Sequence, residues 1–213
     1  MKTTEVPYLP VQSDLDISCL AKQLKHLPKL AINNNPWPDF SAAVAAYCVV
    51  AYSDEAIFLQ YQVSEPYLSA SSDINGDIHK DSCVEFFLAL DHSGNYYNME
   101  FNCLGVCKIG YGKDREQRAL IDETAISNIH SFTNISNVIE NNQKLYHWEM
   151  TLVIPLNTFC FNEDLSFRGL KATGNFYKCG DLLPAPHYLC WNMIHTANPD
   201  FHQKDFFGTL VFA

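Results

Sequence analysis

This sequence predicts an all-β protein, a two-sheet, mainly antiparallel β-sandwich of jelly-roll-like form with one short amino-terminal helix. Three observations predict it. Apolar and polar residues alternate with a period of two through several runs, clusters of Asn, Gly, Pro and Ser separate those runs, and helical periodicity is confined to the amino terminus. The 213 residues suit one domain. With no linker, repeat or low-complexity segment, we expect a single domain over 1–213 with an amino-terminal extension over about residues 1–30.

The elements follow in order. Ser13 can cap a helix in which Ile17, Leu20 and Leu24 share a stripe, Asp14 and Asp16 sit at its positive end, and Pro28 stops it. Runs Tyr47 to Tyr52 and Ile57 to Val63 flank Ser53-Asp54-Glu55-Ala56, which reads as a hairpin. Its second arm sets Ile57, Leu59, Tyr61 and Val63 against a wetter face of Phe58, Gln60 and Gln62. A second hairpin joins Cys83–Leu90 to Tyr96–Leu104 through Asp91-His92-Ser93-Gly94-Asn95, residues that tolerate tight turns. In that hairpin Asn98, Glu100 and Asn102 form a polar ladder, and Glu85 is an acid among large apolar neighbours that needs a partner. Residues 112–143 read as a long excursion with some irregular strand. Trp148 to Ile154 alternates until Pro155 ends the strand, and Thr209 to Phe212 closes the fold.

Composition narrows the function. With 14 Lys plus Arg against 24 Asp plus Glu, the formal charge of −10 opposes phosphate backbones and anionic membranes, so neither nucleic acid nor a membrane is an expected partner. The eight cysteines include no CxxC pair and read as buried thiols. The visible amino terminus has no apolar export segment, so a cytoplasmic home is expected, or a periplasmic or secreted one if a signal has been removed. Oligomeric state is open.

The stretch most suggestive of chemistry is Gly174 to Asp181, followed by His187 to Asn192 and Phe206-Phe207-Gly208. Flat rings beside amides and charges are what a sugar demands, with its apolar ring faces and rim of hydroxyls. A buried corner of any β-protein has the same make-up. Trp191 is a sugar platform or a core anchor; Trp148, within regular alternation, is core; Trp37, between Pro36 and Pro38, is a rigid platform or a plug. Glu85, Asn98, Glu100 and Asn102 make a hydroxyl-reading floor or a solvated face. Lys178 and Asp181 bracket a turn beside Tyr177 and His187, as an ion pair or as ligand contacts, with Arg115 a further candidate.

Several runs together resemble the carbohydrate-binding family 9-like proteins of bacteria, relatives of the family 9 modules attached to some xylanases. They are Asn35-Pro36-Trp37-Pro38, Lys80 to Phe87, Tyr96 to Asn102 with Gly105, Ile154-Pro155, Gly174 to Asp181, His187 to Asn192, Pro199-Asp200-Phe201-His202 and Phe206-Phe207-Gly208. The resemblance implies a β-sandwich and non-catalytic binding of a mono- or oligosaccharide at a chain end, where two tryptophans clamp the sugar. Trp191 matches the carboxyl-terminal clamp and Trp37 matches the other loosely. Carbohydrate contacts are therefore expected from Trp37, Glu85, Asn98, Glu100, Tyr177, Lys178, Asp181, His187 and Trp191.

Two other functions compete. Asp81, Glu85 and Glu100 are nominally available as a glycosidase carboxylate pair, whereas Cys179 with His187 lacks any nucleophile motif. A protein-interaction sandwich without a sugar ligand would use the same aromatics. No cofactor is expected and the histidines show no HxH or HExxH set for zinc. Asp73, Asn75 and Asp77 are a calcium candidate, because family 9 modules carry structural calcium, but they also make an ordinary tight turn.

Overall fold

The computed structural model describes residues 1–11, 16–140 and 142–213, so Ser13 and Asp14 lie outside the described residues. Helix α1 (Ile17–Leu24) is capped instead by Asp16, whose carboxylate accepts from the Ser18 N–H at 2.7 Å. Among the described residues no helix is long and apolar enough to cross a membrane.

Among the described residues thirteen strands build two sheets in the order given by their pairing. The larger contains β1 (Thr3–Val6), β5 (Cys83–Ala89), β6 (Tyr96–Asn102), β7 (Cys107–Gly112), β8 (Ala119–Leu120), β11 (Lys171–Cys179), β12 (Tyr188–Cys190) and β13 (Gly208–Phe212), ordered β1-β13-β11-β5-β6-β7-β8 with β12 on the free end of β11. The smaller runs β2 (Leu30–Ala31), β3 (Ala45–Tyr52), β4 (Ala56–Glu65), β10 (Gln143–Pro155) and β9 (His130–Glu140), in that spatial order. Every strand pair is antiparallel except β1 with β13. β1 draws the first residues of the chain into the sandwich, with Val6 fully buried.

One core fills the space between the sheets. Val84, Phe86 and Leu88 with Tyr97, Met99 and Phe101 face Ile57, Leu59, Tyr61, Trp148, Met150 and Leu152. The β3–β4 and β5–β6 hairpins lie where their alternation puts them. The expected wetter face of β4 is largely covered: α1 lays Leu20 and Leu24 against Val49, Ala51 and Phe58, and buried Gln60 donates to the Ala21 carbonyl at 2.8 Å.

The expected irregular excursion holds more order than its sequence signals. Within it lie β8, a short helix α2 (Glu123–Ile126) and the eleven-residue β9. β9 is an edge strand with exposed residues on both faces, so nothing imposes an apolar alternation on it.

Candidate functional site

Strand geometry decides which side chains gather on the outer face of the larger sheet. Cys83, Glu85 and Phe87 point away from the core, and their register partners extend that face to Cys179 and Tyr177 on β11 and to Asn102, Glu100 and Asn98 on β6. Lys108 and Gly110 on β7 follow opposite Glu100 and Asn98. Loops close over this face and leave a cleft of about 520 Å³, floored by Glu85, Asn98, Glu100, Lys108, Gly110 and Cys179. His79, Asp181 and Tyr188 supply one group of lining residues, and Arg115, Arg118, Asp200, Phe201 and His202 another.

Hydrogen bonds fix the floor. Arg118 lies over the Tyr96 ring at 4.2 Å, donates from Nε to Asn98 Oδ1 at 2.6 Å, and reaches the Tyr96, Gly110, Gly112 and Asp114 carbonyls. The Asn98 amide is thereby oriented to donate to Glu100 Oε1 at 3.0 Å. Gly110 permits this crossing, because a Cβ there would sit 2.7 Å from Asn98 Oδ1. Glu100 Oε2 remains buried without a hydrogen-bond donor, with His79 Nδ1 3.7 Å away.

The charges are set unequally. Burial, reinforced by the Glu100 charge, pushes the Glu85 carboxyl well above the usual carboxylate range; the Cys179 thiol donates to it at 3.2 Å. Burial also raises Asp181. The acidic Glu100 side chain, 3.7 Å from its Nδ1, pushes His79 up from its ordinary value. Burial, and then Arg118, pulls His202 down to about 4, and the neutral ring stands 2.8 Å from the Tyr96 hydroxyl. The cleft thus combines neutral and charged donors with an unanswered acceptor, beside the rings of Tyr188 and Phe201.

Four of the nine expected contact residues, Glu85, Asn98, Glu100 and Asp181, line this cleft. The others do not. Trp191 is 3% exposed and packs edge-on against Phe176 with centroids 5.7 Å apart. A Cβ at Gly208 would collide with its ring, so the glycine of Phe206-Phe207-Gly208 exists to admit this indole to the core. Trp37 is 5% exposed, donates from Nε1 to the Thr196 carbonyl at 3.0 Å, and packs behind Tyr188 and Phe201 at 5.9 and 5.8 Å. Tyr177 is fully buried and stacks on Phe201 at 4.2 Å. Trp37 and Tyr177 therefore hold the cleft's aromatic lining from behind; neither ring is an open platform.

Lys178 and His187 belong to a buried network between the sheets. Lys178 Nζ lies 2.9 Å from Glu65 Oε2 and 3.0 Å from His187 Nε2, while Trp148 donates to Glu65 Oε1 at 2.7 Å. This pairing takes the place of both alternatives for Lys178, an ion pair with Asp181 and a ligand contact, because Lys178 points inward from β11. Burial, then the Lys178 charge, holds His187 down at about 4, as suits a ring that accepts from an ammonium.

The remaining candidates are placed elsewhere. Asn102 accepts from the Leu104 and Val106 N–H groups and donates to Asp81, so it holds a turn and leaves the ladder two residues long within the cleft. Asp81 is buried outside the cleft. Burial pushes it up, but donations from the Ser71 and Ser72 N–H groups and from Asn102 outweigh that and hold it at about 2. Asp77 pairs with Lys80 at 2.6 Å, and Asn75 takes a φ of 58° in the turn that follows Asp73.

His79, Lys108, Arg118, Tyr188, Asp200, Phe201 and His202 line the cleft without having been singled out as contacts. Tyr188 and Asp200-Phe201-His202 lie within runs that carry the family likeness, which was the available signal. Lys108 and Arg118 give none in isolation, since only the β6–β7–β8 register brings them over Asn98 and Glu100.

Among solved structures, a candidate carbohydrate-binding protein of Bacteroides uniformis is similar over 100% of this chain and 99% of its own, at 28% identity and a TM-score of 0.89. Two structures of a family 9 carbohydrate-binding module from Caldicellulosiruptor kristjanssonii share the fold. The glucose complex covers 100% of this chain and 96% of that one at 15% identity and a TM-score of 0.63. The cellotriose complex covers 99% and 93% at 14% identity and a TM-score of 0.61. No curated protein matches. The family model described as carbohydrate-binding family 9 matches residues 18–212, and the chain belongs to that family.

Proposed function

We propose that the cleft on the outer face of the larger sheet binds the end unit of a mono- or oligosaccharide, without turnover. The observation that carries this reading is Glu100 Oε2, a carboxylate oxygen buried at the cleft floor with no donor to satisfy it. Leaving such an acceptor unpaired costs roughly 1–3 kcal/mol, a cost that a ligand hydroxyl removes. Lys108, Arg115 and His79 stand ready to donate to sugar oxygens, and half-buried Tyr188, backed by the buried Phe201 ring, offers apolar surface to ring C–H groups. A volume of about 520 Å³ falls within the range of small-ligand sites.

The stacking arises from the cleft's own aromatics, with Trp37 behind them and Trp191 in the core. Glucose and cellotriose, the sugars in the two module complexes, are the first ligands to try. A glycan array followed by calorimetry tests the proposal: saturable binding of at least one saccharide is expected, and silence across the array overturns it.

A second reading has one observation in its favour, Glu85, its carboxyl raised by burial, directly opposite Glu100 on the neighbouring strand. An acid with a raised pKa beside a carboxylate is what a glycosidase uses. The two groups, however, are cross-strand neighbours on one face of the sheet, both on the floor of the cleft. Product analysis of any bound oligosaccharide should show no hydrolysis.

A further inference from the structure

We propose that Cys83, Glu85 and Cys179 form a site for one thiophilic divalent cation, such as Zn²⁺, at the base of the cleft. The proposal is independent of the sugar reading. Cys83 and Glu85 are two residues apart on β5 and so share a face, and Cys179 is the register partner of Cys83 on β11. Two rigid central strands therefore aim two sulfurs and a carboxylate at one point. Their ligand atoms all lie within 4.8 Å of one another.

The spacing matches an ion. With Zn–S of about 2.3 Å and Zn–O of about 2.1 Å, a tetrahedral zinc separates its sulfur and oxygen ligands by about 3.6 Å. Glu85 Oε1 stands 3.2 Å from Cys179 Sγ and 4.0 Å from Cys83 Sγ, on either side of that value. All three side chains are buried, which fixes their rotamers without a metal.

Binding releases the protons of both thiols and of Glu85 to solvent, and thiolate with carboxylate is a donor set that selects zinc, cobalt or cadmium over the hard cations calcium and magnesium. Glu85 and Cys179 line the cleft, which provides both an entry path and an open direction for a water as fourth ligand. The other buried thiols, among them Cys107 and Cys190, have no such partners among the described residues.

The test uses the whole protein, reduced and stripped of metal, titrated with Co²⁺ and then with Zn²⁺. Expected is a thiolate-to-cobalt charge-transfer band that saturates at one equivalent and is displaced by Zn²⁺. Cys83→Ser and Cys179→Ser should abolish the band, while Cys107→Ser should keep it. The near-isosteric Glu85→Gln, which leaves both thiols in place, should weaken binding by more than the roughly 10- to 100-fold lost with an outer-shell partner. No band in the reduced wild type, a band that survives Cys179→Ser, or unchanged affinity in Glu85→Gln each overturns the site.

Discussion

Replacing Lys178 by methionine separates a structural role for this residue from a ligand contact. The substitution fills the volume but leaves the Glu65 carboxylate fully buried, keeping only the Trp148 donation at 2.7 Å. Breaking a buried pair by removing one partner costs about 3–5 kcal/mol. Lys178→Met should therefore lose about 4 kcal/mol, roughly 10 °C in Tm. Adding Glu65→Leu removes the stranded charge and should restore most of the stability. Urea denaturation at pH 7 measures each quantity. A loss under about 1 kcal/mol, or no recovery in the double variant, would refute the reasoning, and sugar affinity should be unchanged in the folded variant.

Glu85→Gln should raise stability at neutral pH. A carboxyl whose pKa is raised by folding costs stability as pH climbs above its unfolded value, so the gain should grow with pH; thermal melts from pH 5 to pH 8 read it. His187 and His202 work in the opposite sense, both held down at about 4 by burial first, and then by Lys178 and Arg118 respectively. The unfolded chain binds their protons from about pH 6.5, so their contribution is complete above that pH. It is lost as pH falls toward 4, at up to about 3 kcal/mol per histidine, and the acid-side fall should be shallower in His187→Asn. Gly110→Ala places a Cβ against Asn98 Oδ1 and within 3.3 Å of Arg118 Nε, and should weaken sugar binding about tenfold by calorimetry while the fold survives.

The sandwich was legible where one strand face meets the core and the other does not. The β5–β6 hairpin announced itself through Asp91 to Asn95 and through the ladder at Asn98 and Glu100. β9 was not legible, since an edge strand wetted on both faces needs no alternation. Nor was β1, whose four residues become a strand only by pairing with β13 at the far end of the chain.

The candidate site divides in the same way. Glu85 was marked as an acid needing a partner, and its partner is a thiol from β11, ninety-four positions away. Composition drew attention to Trp191 and Trp37, but whether an indole faces solvent depends on what packs over it. Gly208 and Phe176 bury the first; Tyr188 and Phe201 stand in front of the second. Lys178 had two readings in the sequence, and only the inward direction of its position on β11 chooses a third, the pairing with Glu65.

Calorimetric titration of a bound saccharide into Tyr188→Ala and Trp191→Phe, side by side, tests most directly whether the cleft rather than an indole clamp holds the sugar. The account predicts that Tyr188→Ala loses at least tenfold in affinity, while Trp191→Phe melts earlier but binds as the wild type does. Unimpaired binding by Tyr188→Ala, with loss confined to a folded Trp191→Phe, would contradict it.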